Sequence, residues 1–348
     1  MKSITFFNNK GGVGKTTLAV NIASYFSTRF DKKILLVDAD PQANSTQMII
    51  KEDDWLDFYG ENATRPTILD YLKPILEGDS SLNFGSQPLP SEENRFEVDL
   101  IPSHPWLSII EDVLSDSWNK CISGDLGGFR KTNWLKSLIK SFYEQYDFLF
   151  IDVGPSLGAL NRSILLNSDF IITPMGSDIF SLIGISNIST WIRNWMTGYK
   201  NAIRYYESNM YSRESLKKFP INLEPENTTR LIGFSIQQYV TRSFSTGRRP
   251  VAAYESIIRK IPDQIMEHLN YLIYDNLNLD NLNLGDIPYL YSLVPLAQSN
   301  NAPMYDLKSS DGLVGSQTGN VKKYSLMLET ISKKILSNIG ESYVDQLA

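Results

Sequence analysis

The sequence predicts a doubly wound α/β fold: a mostly parallel sheet with helices on both faces. Two observations carry this. Seven short apolar runs recur along the chain: "ITFF" (4–7), "ILLVD" (34–38), "VDLI" (98–101), "FLFID" (148–152), "FIITP" (170–174), "LIGFSI" (231–236) and "LYSLV" (290–294). Their hydrophobicity is continuous rather than alternating, as in strands covered on both faces. The longer helical patterns between them supply the crossovers that parallel neighbours need. A third observation is a glycine-rich turn directly after the first run, where an open α/β sheet places its ligand. With 42% hydrophobic residues, the chain can bury a large core, and residues 1–348 read as one domain.

Taken in order, "ITFF" leads into "NNKGGVGKTT". A helix follows whose Leu18, Ala19, Ile22, Ala23 and Phe26 share one face. The second strand ends at Asp38, with Asp40 two residues on. From about 51 to 97 the segment mixes Pro66, Pro74, Pro88 and Pro90 with "GDSSLNFGSQPLPSEEN", a loop composition that need not pack and reads as an insertion. The fourth strand ends at Asp152. A second insertion is expected at about 199–230, where "YKNAIRYYESNMYSRESLKKF" suits a helix projecting from the core. The segment "DNLNLDNLNLG" (275–285) is a quasi-repeat too short for a solenoid. "KKILSNIGESYVDQLA" reads as a docked or frayed terminal helix.

Composition excludes several classes. The 33 basic and 39 acidic residues give a net charge of -6, so any nucleic-acid contact must be local. The single Cys121 cannot form an intramolecular disulfide or a thiolate cluster. His104 and His268 show no metal spacing. The chain enters its first strand without a signal-like apolar region, and no run approaches the about 20 apolar residues that span a bilayer. The expectation is a cytoplasmic protein without a membrane role.

The turn at 8–17 has the context of a phosphate loop, strand before and helix after. Gly11, Gly12, Val13 and Gly14 let successive N–H groups point at one anion, at the positive end of the following helix. Lys15 would reach the β- and γ-phosphates, the Thr16 hydroxyl would bind Mg²⁺, and Thr17 would hold the α-phosphate side. The sheet is accordingly of P-loop NTPase type, and ATP and Mg²⁺ are the expected ligands. The pattern G-x-x-x-x-G-K-[ST] is broken at its first glycine, however. Asn9 stands there, and an extra lysine, Lys10, follows it.

"NNKGGVGKTT" with "LLVDADPQAN" (35–44) resembles the deviant phosphate-loop ATPases of the ParA/MinD family, and the ParA branch in particular. "TILDYL" (67–72), "VDLIPSHPWLSIIE" (98–111), "YDFLFIDVGPSLGALNRSILLNSDFIITPM" (146–175), "GRRPVAAYESI" (247–257) and "VPLAQSNNAPMYD" (294–306) extend the likeness over nearly the whole chain. The resemblance implies an ATP hydrolase of weak basal activity that forms an ATP-dependent homodimer, with Lys10 crossing the interface to the partner's phosphates. Asp40 would orient or deprotonate the attacking water. Asp38 would support Mg²⁺ through its water shell, and Asp152 would hold Mg²⁺ through water. Adenine contacts would fall on Gln237 and on Val294-Pro295. One departure stands out. Such ATPases usually read Asp-x-Pro-Pro, whereas this chain reads Asp152-Val153-Gly154-Pro155, a more permissive phosphate-sensing loop.

The same resemblance implies binding to nonspecific DNA by the ATP-bound dimer, and hydrolysis stimulated by a protein activator, ParB-like or other. Residues 241–262 hold Arg242, Arg248, Arg249, Arg259 and Lys260 against one acid, Glu255, a local patch that could contact phosphates. Plasmid or chromosome partition is the leading expectation, with nucleoid association if DNA binding holds. A regulatory or defence-associated relative, acting on a protein partner through the two insertions, is the alternative.

Overall fold

In the computed structural model, which describes residues 1–209, 212–239, 241–244, 247–250, 252–290 and 292–342, seven strands form one parallel sheet. They are β1 (Lys2–Phe6), β2 (Ile34–Ala39), β3 (Asp99–Ile101), β4 (Phe148–Val153), β5 (Phe170–Met175), β6 (Arg230–Tyr239) and, after the separate antiparallel pair β7 (Thr241–Phe244) and β8 (Gly247–Pro250), β9 (Asn283–Pro288). Their order is β3-β2-β4-β1-β5-β6-β9, with every neighbouring pair parallel. β1 sits at the centre between β4 and β5. The carboxyl ends of β1, β2 and β4 therefore gather beside one another, and the chemistry-bearing residues leave from these ends.

Both faces of the sheet are buried, as continuous apolar strands require. Leu35, Val37, Leu149 and Ile151 face one core layer, with the helices Ile68–Leu76, Ile110–Ile122, Trp134–Phe142 and Ile179–Ser208. Ile34, Leu36, Phe148 and Phe150 face the other, against Lys15–Phe30 and Gln317–Asn338. In the second layer, Phe6, Phe26, Phe148 and Phe150 meet edge to face with ring centroids 5.3 to 5.6 Å apart for the three contacts linking Phe150 to Phe6, Phe26 to Phe148 and Phe26 to Phe150, the favoured geometry for ring quadrupoles.

Three expectations change. The seventh strand is Asn283–Pro288, and the apolar run 290–294 instead runs into the Leu293–Ser299 helix. β9 is an edge strand with one neighbour and a half-buried pattern. It carries Asn283, Asp286 and a left-handed Gly285 (φ 140°), so its composition reads as a loop. The 51–97 segment packs in part: Ile68–Leu76 starts with a reciprocal Thr67–Asp70 capping box and buries Ile68, Tyr71, Leu72 and Ile75. The expected projecting helix is docked, because it continues Ile179–Ser208. Tyr199 is fully buried, accepts a 2.7 Å hydrogen bond from Asn133 Nδ2 and stacks near Trp118, while Tyr206 packs on Phe129.

Of the segment 333–348 expected as a terminal helix, only residues 333–338 are helical, as the last turns of Gln317–Asn338, which docks through Val321, Tyr324, Leu328, Ile331 and Ile335, and the helix stops before Ile339. Residues 343–348 of the expected terminal helix lie outside the described residues. Among the described residues, no helix is long and apolar enough to cross a membrane.

Candidate functional site

The loop after β1 curls through two left-handed glycines, Gly12 (φ 71°) and Gly14 (φ 76°), and Gly14 is the N-cap of the Lys15–Phe30 helix. Side chains other than glycine adopt this conformation at a cost. The loop borders a cleft of about 430 Å³ lined by Gly11, Gly12, Gly14, Lys15, Thr16 and Thr17, with Asp40, Asn44 and Pro155 opposite. Lys15 is only 7% exposed, and its Nζ donates to the Lys10 carbonyl at 3.0 Å. Burial pushes its ammonium pKa down, opposed by the charges of Asp152 and Asp40. A cation held this way, beside the backbone amides of a helix N-terminus, suits a polyphosphate. Val13 is buried.

The three acidic residues come together at the ends of β2 and β4, where Asp38 and Asp152 are register partners. Asp152 is fully buried. Its Oδ2 accepts from Ser45 Oγ at 2.7 Å, whereas among the described residues Oδ1 receives no hydrogen bond of ordinary geometry although the Thr16 hydroxyl stands near. Burial raises its pKa to about 6. A buried carboxylate oxygen left over beside a threonine hydroxyl fits a hydrated divalent cation. Thr16 and Asp152 are thus the residues that would hold Mg²⁺, which when bound neutralises phosphate charge. Among the described residues no cluster of three His, Cys, Asp or Glu residues forms a protein-only metal cage.

Asp38 lies deeper. Its Oδ2 accepts from Thr46 N (2.8 Å) and Thr46 Oγ1 (2.7 Å), and its Oδ1 from Asp40 N (3.2 Å). Burial, then the neighbouring Asp152 charge, raises its pKa to about 8. Its visible work is to pin the 40–46 turn that presents Asp40. Asp40 is the carboxylate that borders the cleft, its Oδ1 accepting from Gln42 N at 3.0 Å and its backbone carbonyl from Ser103 Oγ at 2.6 Å. Sequence reading missed Ser45 and Thr46, although hydroxyl residues opening a short helix after an acidic strand end were a usable signal.

Lys10 does not line its own cleft. Its ammonium pairs with Asp178, whose Oδ1 also accepts from Phe180 N (3.0 Å) and caps the Ile179–Ser208 helix. Beyond that cap, Ile179, Phe180 and Ile183 are exposed at 53, 68 and 49%. Lys10 and an unusually apolar surface thus share one edge of the site.

Gln237 and Pro295 meet in a second cavity of about 160 Å³ that adjoins the loop at Gly14 and Thr17 and includes Val294, Tyr289 and Tyr324. The Tyr324 hydroxyl, also absent from the sequence reading, is buried without a hydrogen-bond partner among the described residues. This mostly apolar slot beside the phosphate cleft has the character expected of a base pocket.

The basic patch is only partly described. The side chains of Arg242, Arg248 and Arg249, on β7 and β8, lie outside the described residues. Arg259 is 76% exposed and pairs with Glu255 at 2.5 Å, and Lys260 precedes the Ile261–His268 helix. His104 accepts from Trp106 N at 3.0 Å as a helix cap, in keeping with an ordinary packing role.

The chain is similar to known proteins in sequence and in fold. The AAA_31 family model, an AAA domain, matches residues 1–205. A ParA family protein of the virulence plasmid of Chlamydia psittaci, pGP5-D, is 30% identical over 191 residues, 54% of this chain and 62% of that protein. The chain spans 62 to 66% of the length of the chlamydial and Methanocaldococcus jannaschii relatives it matches. The crystal structure of protein DIP2308 from Corynebacterium diphtheriae superposes with a TM-score of 0.74 at 29% identity, covering 97% of this chain and 99% of the other. An ATP complex of a McdA variant from Cyanothece shares the fold, with a TM-score of 0.59, 16% identity and 99% of each chain covered.

Proposed function

This chain belongs to the ParA-type family of P-loop ATPases, and from that premise we propose that it is an ATP-switched positioning protein. Two chains close on Mg²⁺-ATP, the closed dimer binds nonspecific DNA and a partner protein, and hydrolysis stimulated by that partner releases both. Plasmid or chromosome partition is the task this cycle serves best. The observation that carries the reading is the division of labour between the two lysines. Lys15 is folded into its own cleft, whereas Lys10 is held at the edge of it by Asp178. A cation placed outside its own site but beside an exposed apolar edge is suited to reach a neighbour's phosphates, where it acts only once the dimer has assembled.

Within the closed site Asp40 orients or deprotonates the attacking water, and Asp38 holds the turn that carries Asp40 and would support the metal's water shell. Gln237 and Pro295 flank the adenine. The test is nucleotide binding and intrinsic hydrolysis for the wild type, Lys15→Ala and Lys10→Ala. Lys15→Ala should lose ATP binding, whereas Lys10→Ala should bind ATP but not hydrolyse it. Normal hydrolysis by Lys10→Ala would remove the trans-acting lysine from the account.

A further inference from the structure

We infer that Asn161 is a positioning residue for ATP hydrolysis, a side-chain clamp that supplies the stiffness the glycine at 154 gives up. Residues 154–158 connect β4 to the Ala159–Leu165 helix, and Pro155 of this loop borders the cleft. Asn161 is 2% exposed, and its Nδ2 donates to two carbonyls of the loop, Gly154 O and Ser156 O, each at 2.7 Å. Both amide hydrogens of one buried side chain therefore bracket Pro155. The far end of the loop is held separately, by Glu111 Oε2 accepting from Ala159 N and Leu160 N.

The bare position at 154 has its own reason. A Cβ there would stand 3.0 Å from Asp40 Oδ1 and 3.2 Å from Asp40 Cγ. Any side chain would press on the carboxylate that faces the reacting phosphate. Glycine lets Asp40 lie against the loop, but it also widens the range of conformations open to the backbone. The Asn161 amide restores one of them. It fixes the loop without adding an atom near Asp40, and buried hydrogen bonds of this kind are costly to lose. Asn161 thus acts through Gly154 and Pro155 on the position of Asp40 and on the wall of the cleft, without touching the nucleotide.

This inference rests on the ATPase reading above, and the experiment separates the two. Intrinsic Mg²⁺-ATP hydrolysis, fluorescent ADP affinity and thermal unfolding are measured for the wild type, Asn161→Ala, Gly154→Ala and Asn167→Ala. Asn167 is an equally buried amide that donates to Thr132 O and Ser163 O, away from the cleft, so its loss reports destabilisation alone. Asn161→Ala is expected to lower kcat by about tenfold to a hundredfold, the scale of a misplaced catalytic group, with ADP affinity within about threefold and KM little changed. Gly154→Ala, which keeps the clamp but crowds Asp40, should show the same split; Asn161→Leu, which keeps the bulk of the side chain but removes both donors, stands in should Asn161→Ala not fold. Asn167→Ala should lose thermal stability while keeping kcat.

A hydrolysing wild type with unchanged kcat in Asn161→Ala, or a kcat loss in Asn167→Ala of the same size, would overturn the clamp. If Asn161→Ala does not fold, unchanged kcat in Asn161→Leu would do so. A wild type that neither binds nor hydrolyses ATP would sink the ATPase reading first, and the clamp with it.

Discussion

At the scale of single residues, the site's carboxylates stand at different depths. Asp40 borders the cleft and Asp38 is sealed behind it, so their replacements should separate cleanly. Asp40→Ala is expected to bind ATP and accumulate as a closed dimer that does not turn over; an Asp40→Ala protein that hydrolysed at the wild-type rate would take Asp40 out of its assigned place. Asp38 makes a prediction about pH. Its carboxyl is raised from 3.8 to about 8 by burial and by Asp152. Folding therefore takes up a proton, and stability falls as pH rises from about 4 through about 8. Asp152, raised to about 6, adds to the lower part of that window. The nucleotide-free chain should unfold at a lower temperature at about pH 8 than at about pH 5.5. Asp38→Asn should flatten that difference, and an unchanged slope in the variant would contradict the assignment.

At the scale of elements, the Ile179–Ser208 helix links the core to the site, because its N-cap Asp178 also holds Lys10. The pair is about one-third exposed, so breaking it is worth at most about 1 kcal/mol. Asp178→Asn can keep the cap to Phe180 N while releasing the lysine. It should lower the ATP concentration at half-maximal dimerisation by no more than about fivefold, as followed by light scattering. A rise in that concentration would mean that Asp178 is needed in the closed state. This contact also shows where the sequence stops being informative. The buried strands and the glycine loop were legible because local pattern determines them, and Asp38, Asp40 and Asp152 followed as strand ends. Lys10–Asp178, Asn161–Gly154 and Tyr199–Asn133 join residues whose types carry no local signal of their partners. β9 was missed for another reason: an edge strand needs to bury only part of one face, and its asparagines and glycine read as a turn.

At the scale of the whole molecule, a chain of net charge -6 can hold DNA only through a confined basic surface, and the β7–β8 segment with Arg259 and Lys260 is the place proposed. Binding to nonspecific duplex should require ATP rather than ADP, weaken as salt rises through counterion release, and be lost in Arg248→Ala/Arg249→Ala. ATP-independent binding, or binding untouched by the double variant, would move the DNA face elsewhere. A dimer that binds no DNA would favour a partner protein as the only cargo.

If ATP joins two chains through Lys10, the mass in solution reports it most directly. Sedimentation equilibrium of Asp40→Ala with Mg²⁺-ATP should give twice the 39.5 kDa of one chain, against a single-chain mass for Asp40→Ala carrying Lys10→Ala. An ATP-saturated Asp40→Ala protein that stays at 39.5 kDa, or a Lys10→Ala double variant that dimerises equally well, would contradict it.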